Sequence, residues 1–396
     1  MNYGLKPADI LLPKKDFEKF ATIACDQYTS EPEYWQKAEA ARQGASGALD
    51  LILPEIYLDG DIDERIAKIN RNMEEYLKNG VFEEHKGSMI YLERTLANGK
   101  VRKGLVGMID LEDYDYQKGS RALIRATEAT VLERIPPRVK IRSGAALELP
   151  HVMLFVDDPN FEVIEPLSDN ADNFTLAYDF DLMCGGGHAK GRFIDEDSMN
   201  RVSNALYSLV KDSDDKLLFA VGDGNHSLAT AKECYRLNKT EKTRYALVEV
   251  VNIHDESIEF EPIYRVLFNA DANDVLSYLK ANAPMVGATQ RFECIYDGKD
   301  ETVELGALGA LPVGTLQKLL DEYLAAHTDV KIDYIHGIDS VRQLCKQKGT
   351  LGFIFDGMKK NELFDAVKND GSLPRKTFSM GTADDKRFYI EARRLK

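Results

Sequence analysis

A strand-to-helix junction in the middle of the chain carries its most specific local pattern. The apolar run 217–221 predicts a buried strand, and the segment 228–237 predicts a helix. Between them lies Gly222-Asp223-Gly224-Asn225-His226-Ser227, whose two glycines permit a tight turn. Unpaired N–H groups and the helix dipole make such a helix N-terminus a favourable place for an anion. The alternative is an ordinary junction with Ser227 as the helix N-cap.

The charge balance of the chain excludes several classes of partner. Its 396 residues carry a formal net charge of −15 at pH 7. Proteins that bind nucleic acid or anionic membranes need a basic surface, so neither partner is expected. No apolar run reaches transmembrane length and the N-terminus shows no signal-peptide pattern, which predicts a cytoplasmic protein. The expected partner is a small-molecule substrate, and a homo-oligomer is compatible with the sequence.

The cysteines and histidines give little sign of metal or disulfide chemistry. The five cysteines are odd in number, far apart and without a C-x-x-C pair, which indicates a reducing compartment. Cys25 is a candidate nucleophile, although a small buried thiol is the simpler interpretation. The seven histidines form no zinc-binding pattern, so neither zinc nor haem is expected. Mg²⁺ held by a carboxylate and a substrate phosphate would leave little trace in sequence.

Hairpin and helix signals alternate along the chain and favour a mixed α/β (α+β) fold over a doubly wound sheet. Ser30-Glu31-Pro32-Glu33 is typical of a capping box that opens a helix. Helical spacing over 62–79 ends at Gly80. Asn98-Gly99 and Asp297-Gly298 each predict a tight hairpin turn. We place soft boundaries that give three regions: an N-terminal α+β region 1–115, a central domain 116–268 and a C-terminal α+β domain 269–396.

Three further segments bring carboxylates, hydroxyls or cations together. In 124–130, Arg125 and Glu128 stand beside threonines. The stretch 134–142 is basic, and alternation along a strand would place three cations on one face, as a phosphate or carboxylate ligand requires: Arg138, Lys140 and Arg142. A solvated strand face is the alternative. Near the C-terminus, Arg375 and Lys376 precede hydroxyls and a glycine, which suits either an anion-binding loop or a surface loop.

Taken together, these segments resemble domain-of-unknown-function family 1015 over nearly the whole chain. The resemblance is carried by ACDQYTSEPEYW at 24–35, IRATE at 124–128, RIPPR at 134–138, GDGNHSLATAK at 222–232 and LPRKTFSMG at 373–381. In this family the central motif commonly has the form D-G-H-H-R, which is similar to a signature of the ParB/sulfiredoxin-like superfamily. The resemblance therefore implies a ParB/sulfiredoxin-like central unit flanked by the two α+β regions.

That superfamily includes nucleotide-using enzymes and free-serine kinases, in which the motif handles phosphates and a separate glutamate activates the substrate hydroxyl. Asp223, Gly224 and His226 match the motif, whereas Asn225 replaces its first histidine and Ser227 its arginine. Loss of that arginine removes a bidentate phosphate contact. The chain is therefore identified as a member of a divergent subgroup with the sequence GDGNHS.

The resemblance implies phosphoryl transfer from a nucleotide, ATP or ADP with Mg²⁺, to a small hydroxyl metabolite. Glu128 would be the base, Asp223 would orient Mg²⁺ or substrate, and His226 would contact a phosphate or act as an acid or base. The predicted phosphate-binding residues are Gly222, Gly224, Asn225, Ser227, Arg125, Arg138, Arg142, Arg375 and Lys376. A non-catalytic nucleotide- or metabolite-sensing module is the alternative, and a Cys25 hydrolase is a third hypothesis. A DNA clamp is disfavoured by the charge balance.

Overall fold

The computed structural model describes residues 3–58, 62–128 and 135–396. Three residues of the segments singled out above, Ala129, Thr130 and Arg134, lie outside these ranges.

The elements run in mixed order along the chain. The α-helices are α1 (Phe17–Phe20), α2 (Pro32–Ala41), α3 (Ile62–Lys78), α4 (Ile135–Gly144), α5 (Pro166–Asp169), α6 (Glu196–Val210), α7 (Asn225–Leu237), α8 (Glu241–Arg244), α9 (Ala272–Asn282), α10 (Pro312–Ala326), α11 (Ile338–Leu344) and α12 (Leu363–Asp370). The strands are β1 (Ala8–Pro13), β2 (Thr22–Ile23), β3 (Phe82–Ser88), β4 (Ile90–Thr95), β5 (Val101–Asp110), β6 (Tyr114–Asp115), β7 (Ile124–Arg125), β8 (Leu147–Glu148), β9 (Met153–Val156), β10 (Thr175–Asp181), β11 (His188–Phe193), β12 (Phe219–Asp223), β13 (Tyr245–Asn252), β14 (Phe260–Phe268), β15 (Thr289–Tyr296), β16 (Lys299–Gly306), β17 (Lys331–His336), β18 (Thr350–Ile354), β19 (Phe378–Met380), β20 (Phe388–Tyr389) and β21 (Arg393–Arg394).

The described chain groups into two compact units. The first comprises Met1–Ile258 and Thr382–Lys396, and the second comprises Glu259–Gly381. Strands β4 and β5, of the predicted N-terminal region, share a sheet with β13, of the predicted central domain. The predicted boundaries after residues 115 and 268 stay predictions. The predicted mixed α/β class is confirmed in both units.

The first unit is built on a nine-stranded mixed sheet of order β10-β11-β4-β5-β13-β9-β12-β7-β6. The hairpin of β4 and β5 turns at Asn98-Gly99, as the sequence predicts. Further along the sheet, β13 runs parallel to β9 and β12 runs parallel to β7. The apolar residues of β12 are fully buried at Phe219, Ala220 and Val221, which explains the continuous apolar run in the sequence.

The second unit carries a smaller antiparallel sheet of order β16-β15-β18-β14-β17, with β19 also pairing with β14. The predicted turn at Asp297-Gly298 joins β15 to β16. Helices α9 and α10 have apolar faces that are buried within this unit.

Three local predictions are wrong for identifiable reasons. The basic stretch forms helix α4 rather than a strand, because prolines are tolerated in the first turn of a helix. Arg138 and Arg142 then share a helix face at i and i+4, without Lys140. At α2 the N-cap is Glu31, with no side-chain cap hydrogen bond, so the capping box is absent. Ser227 lies inside α7, whose N-cap is Gly224.

Within the described ranges, no helix is both long and apolar enough to cross a membrane.

Candidate active site

Close neighbours leave no room for a side chain at either glycine of the central motif. Gly224 caps α7 in the left-handed region, with φ 82°, and a Cβ there would lie 3.1 Å from Cα of Val152. A Cβ on Gly222 would lie 2.6 Å from the ring of Phe155. The turn between β12 and α7 is therefore fixed by close backbone packing as well as by its glycine φ angles.

Gly224→Ala is expected to lower the free energy of unfolding by about 1–2 kcal/mol, because alanine is strained at positive φ, and by more where the Val152 contact must open. Urea denaturation measures this loss. Gly99→Ala is the matched control, since Gly99 has φ 80° but a Cβ added there would point into open space. A Gly224→Ala variant as stable as the wild type would contradict the structure.

Three strands bring the candidate residues to one edge of the sheet. Strand β12 is parallel to β7, with Ala220 opposite Arg125, and antiparallel to β9, with Asp223 opposite Met153. The carboxyl ends of β7 and β12 therefore meet the amino end of β9. Glu128 follows β7 at this edge, and the motif follows β12.

The side chain of Asn225 fastens the Glu128 segment to the motif. Its Oδ1 accepts a hydrogen bond from the N–H of Thr127 at 3.1 Å, and its Nδ2 donates to Thr127 Oγ1 at 3.2 Å. Thr127, 1% exposed, in turn donates to the carbonyl of Val221 at 2.7 Å. Glu128, the next residue along the chain, is thereby held beside the N-terminus of α7. We call these hydrogen bonds between Asn225 and Thr127 the bracket. They engage the side-chain amide of Asn225, which was predicted to contact phosphate.

Asp223 is held by one backbone and one side-chain partner. Its Oδ1 accepts from the N–H of Gly224 at 2.9 Å, and its Oδ2 lies 3.4 Å from Nζ of Lys386. The side chain of Lys386 is 13% exposed and places positive charge beside the motif. Sequence reasoning missed Lys386, because it lies far from the motif along the chain and belongs to an unremarkable charged run, 384–387.

His226 is half-buried in the first turn of α7, and its carbonyl accepts from Thr230 Oγ1 at 2.7 Å.

The predicted cationic residues of the first unit each meet a carboxylate. Arg125 is buried and makes a bidentate pair with Asp215, and its Nε donates to the carbonyl of Ala122 at 2.9 Å. The other pairs are Arg138 with Glu55, Arg142 with Glu148 and Lys140 with Asp63. A phosphate could reach these guanidinium groups only by sharing or displacing their carboxylates. Their predicted phosphate contacts stay predictions.

Arg375 and Lys376 belong to the second unit. The guanidinium of Arg265, which is fully buried, donates to the carbonyl of Arg375 at 3.1 Å and to that of Lys376 at 2.8 Å. The side chain of Arg375 also donates from Nε to the hydroxyl of Tyr334 at 3.1 Å. Their segment is thus held by its backbone, and its predicted role in anion binding stays a prediction.

A hydrogen-bonded row of side chains starts at Ser227. Its Oγ lies 2.9 Å from Nε2 of His151, whose Nδ1 lies 2.7 Å from the hydroxyl of Tyr389. The N–H of Cys25 donates to the same hydroxyl at 3.2 Å. We call Ser227, His151 and Tyr389 the relay. Sequence reasoning missed His151 and Tyr389, because the contacts join residues 76 and 238 positions apart and follow no motif.

The relay lies at the wall of a cavity of about 160 Å³ in the first unit. Cys25, Arg138 and Arg142 also line it. Glu128, Asp223 and His226 are not among its described lining residues. The motif therefore has two sides: Ser227 faces the cavity, and Asp223 and Asn225 join the edge that holds Glu128.

Cys25 is poorly suited to nucleophilic catalysis. Burial, and then the negative charge of Asp26, raise the pKa of its thiol to about 12. A thiol with such a pKa is almost fully protonated at neutral pH, whereas the thiolate is the reactive form. The structure gives no support to the Cys25 hydrolase hypothesis.

A buried ionic network underlies the same edge. Arg387 donates from Nη1 to Glu249 and from Nη2 to Glu391, each at 2.5 Å, and both glutamates are fully buried. Tyr178 donates to the second oxygen of Glu391 at 2.5 Å. Burial alone would raise the pKa of Glu249, but Arg102 and Arg387 outweigh it and hold that pKa below its ordinary value. The network keeps Glu249 ionised inside the first unit.

The described residues include no group of three or more His, Cys, Asp or Glu side chains that could hold a metal ion. Among them, there is therefore no candidate site made of protein ligands alone. The single carboxylate of Asp223 at a helix N-terminus suits Mg²⁺ only in company with substrate phosphates and water.

The chain belongs to the family described as protein of unknown function DUF1015, whose model matches residues 5–394. The predicted family membership is confirmed. No curated protein matches the chain.

A solved structure of free serine kinase in complex with ADP is 13% identical, with a TM-score of 0.43, and the alignment covers 75% of this chain and 93% of that one. A conserved hypothetical protein from Pyrococcus furiosus is 13% identical, with a TM-score of 0.39 and coverage of 75% and 97%. SbnI from Staphylococcus aureus is 9% identical, with a TM-score of 0.38 and coverage of 72% and 85%.

Proposed function

We propose that this protein is an enzyme that transfers a phosphoryl group from a nucleotide to the hydroxyl of a small metabolite. The observation that carries the proposal is the bracket of Asn225 and Thr127, which holds Glu128 beside the N-terminus of α7. Phosphoryl transfer requires mainly positioning and charge stabilisation. A helix N-terminus suits the phosphates, and an adjacent carboxylate suits the proton of the attacking hydroxyl.

Each residue of the edge has a role in this scheme. The N–H groups in the first turn of α7 bind phosphate oxygens, which the closely packed glycines allow to approach the backbone. The ammonium of Lys386, 3.4 Å from Asp223, adds positive charge. With a nucleotide bound, Asp223 would help to hold Mg²⁺, which supplies charge neutralisation between the phosphates. His226 is placed in the same turn to contact a phosphate.

The chemical step follows from these positions. The acceptor oxygen forms a bond to the terminal phosphorus, and the bond from that phosphorus to the leaving nucleotide oxygen breaks. The hydroxyl proton passes to the carboxylate of Glu128, which later releases it to water. The substrate partners we propose are small molecules, and we propose a cytoplasmic location.

The test is product formation from ATP or ADP with Mg²⁺ and a panel of hydroxyl metabolites, serine included, followed by ³¹P NMR and mass spectrometry. We expect a phosphorylated product that depends on the acceptor. Lys386→Met is expected to slow the reaction, whereas Lys140→Met is the matched control, since Lys140 is 55% exposed and pairs with Asp63. The absence of turnover across the whole panel would overturn the proposed function.

A further inference from the structure

Among the described residues, those that line the cavity beside the relay are mostly apolar, and the arginines and glutamates among them are equal in number. Its apolar wall includes Leu51, Leu53, Met73, Ile141 and Leu147. Two arginines and two glutamates also line it, and they form the pairs Arg138 with Glu55 and Arg142 with Glu148.

The pairing makes this cavity unsuited to an anion. Burial would raise the pKa of Glu148, but Arg393 and Arg142 outweigh it and hold that pKa below its ordinary value. Glu148 is therefore ionised, and its carboxylate pairs with both Arg142 and Arg393. A phosphate or carboxylate entering the cavity would add a negative charge beside lining carboxylates, which makes binding unfavourable.

The relay gives the cavity its polar end, where Nε2 of His151 also lies 3.9 Å from Oδ2 of Asp26. Tyr389 already accepts a hydrogen bond from the N–H of Cys25, so its own hydroxyl is able to donate to Nδ1 of His151. In that arrangement Nε2 of His151 donates to Ser227, whose hydroxyl proton is left to donate. In the opposite tautomer Nε2 accepts from Ser227, and the Ser227 oxygen is left to accept. An alcohol group matches both arrangements, because it donates and accepts.

We infer that this cavity binds a neutral molecule with an apolar body and one hydroxyl, which makes its hydrogen bond to Ser227. A cavity of this size holds a molecule of about six to eight non-hydrogen atoms, since roughly 150 Å³ accommodates benzene. This site is distinct from the edge that holds Glu128, because Glu128, Asp223 and His226 are not among the described residues that line the cavity. Binding of the molecule is independent of nucleotide.

The experiment is a ligand-observed NMR titration of the full chain, without nucleotide, with benzyl alcohol, toluene and benzoate. We expect saturable binding of benzyl alcohol. Toluene should bind about three- to tenfold more weakly, because one hydrogen bond is lost. Benzoate should bind at least about 100-fold more weakly, because its charge would have to compete with Glu55 and Glu148 for the two lining arginines.

Cavity-filling variants locate the binding. Ala145→Leu and Ala231→Leu each push a larger side chain into the cavity and should abolish benzyl alcohol binding. Two variants are used because one of them could fail to fold. Thermal unfolding of each variant shows whether it is folded. Ser227→Ala should reduce the affinity for benzyl alcohol to that for toluene and leave toluene unchanged.

Three results would overturn the inference: benzyl alcohol binding that survives both fillings, a preference for alcohol that survives Ser227→Ala, or tighter binding of benzoate. If benzyl alcohol binds but no compound of the hydroxyl-metabolite panel is turned over, the proposed function is wrong and the assignment of the cavity as an alcohol-binding site is retained.

Discussion

Glu128→Gln is expected to lower kcat for phosphoryl transfer by about 10²–10⁴-fold, the usual contribution of a general base. The amide has the size of the carboxylate but cannot take the proton of the attacking hydroxyl. Nucleotide binding should stay within about threefold of wild type, because the predicted phosphate contacts come from the first turn of α7 and from Lys386. Steady-state kinetics and calorimetric titration with ADP measure the two quantities.

Two further variants sharpen this result. Glu128→Asp keeps the carboxylate and should retain part of the activity, whereas Glu241→Gln, an exposed residue at the start of α8, should leave kcat unchanged. Equal kcat values for Glu128→Gln and wild type would remove Glu128 from the role of base. The sensing alternative makes a different prediction, since a sensor binds ligand equally well in all three variants and shows no turnover to lose.

Local sequence signals were sufficient for the elements that build the site. The apolar run before Gly222 predicts β12, and the two glycines predict the turn, because both features act over a few residues. The Asn98-Gly99 hairpin was equally predictable from turn chemistry. The N-terminus of α7 and the buried strand β12 could therefore be placed from the sequence before any tertiary contact was known.

The partners of these elements could not be predicted, because they come from distant parts of the chain. Lys386 reaches Asp223, and Tyr389 reaches His151, only through the course of the C-terminal segment within the first unit. The bracket of Thr127 and Asn225 spans 98 residues. No periodicity or spacing encodes such contacts, which depend on the strand order of the mixed sheet.

The basic stretch shows how a charge pattern misleads without tertiary information. Its alternation suggests a strand with three cations on one face, and its prolines are compatible with either structure. In the helix, Arg138 and Arg142 turn to the same side and meet Glu55 and Glu148. The carboxylates that neutralise them are distributed through the acidic sequence, so the pairing is invisible at the level of composition.

Arg387→Met is expected to lower the free energy of unfolding by about 3–5 kcal/mol, the range for breaking a buried ion pair by removing one partner. Methionine fills much of the space of the arginine stem, so the loss comes mainly from charge. It leaves Glu249 and Glu391 buried without the guanidinium that each contacts at 2.5 Å. It also removes the hydrogen bond from Nε to the carbonyl of Pro150 at 3.2 Å. Urea denaturation at pH 7 measures the change.

Arg394→Met is the matched control. Arg394 is 41% exposed and pairs with Glu84 at 3.3 Å, so its loss should cost about 0–1 kcal/mol. A similar cost for both variants would show that the buried network contributes no more than a surface pair.

The pH dependence of the Arg387→Met loss identifies its cause. In the wild type the pKa of Glu249 is held below its ordinary value, so the stability it contributes is present above the unfolded pKa and declines as the pH falls through the folded pKa. Without Arg387, the opposition to burial is left mainly to Arg102, 3.5 Å from Glu249, so the pKa of Glu249 is higher than in the wild type and the carboxyl takes up a proton at a higher pH. The difference between wild type and variant should therefore shrink as the pH is lowered from neutral towards the ordinary pKa of a glutamate. Adding Glu249→Gln to Arg387→Met should recover part of the loss at pH 7, because it removes a buried charge that has lost its hydrogen bond from Arg387. A difference that is constant with pH, together with no recovery in the double variant, would assign the loss to packing instead.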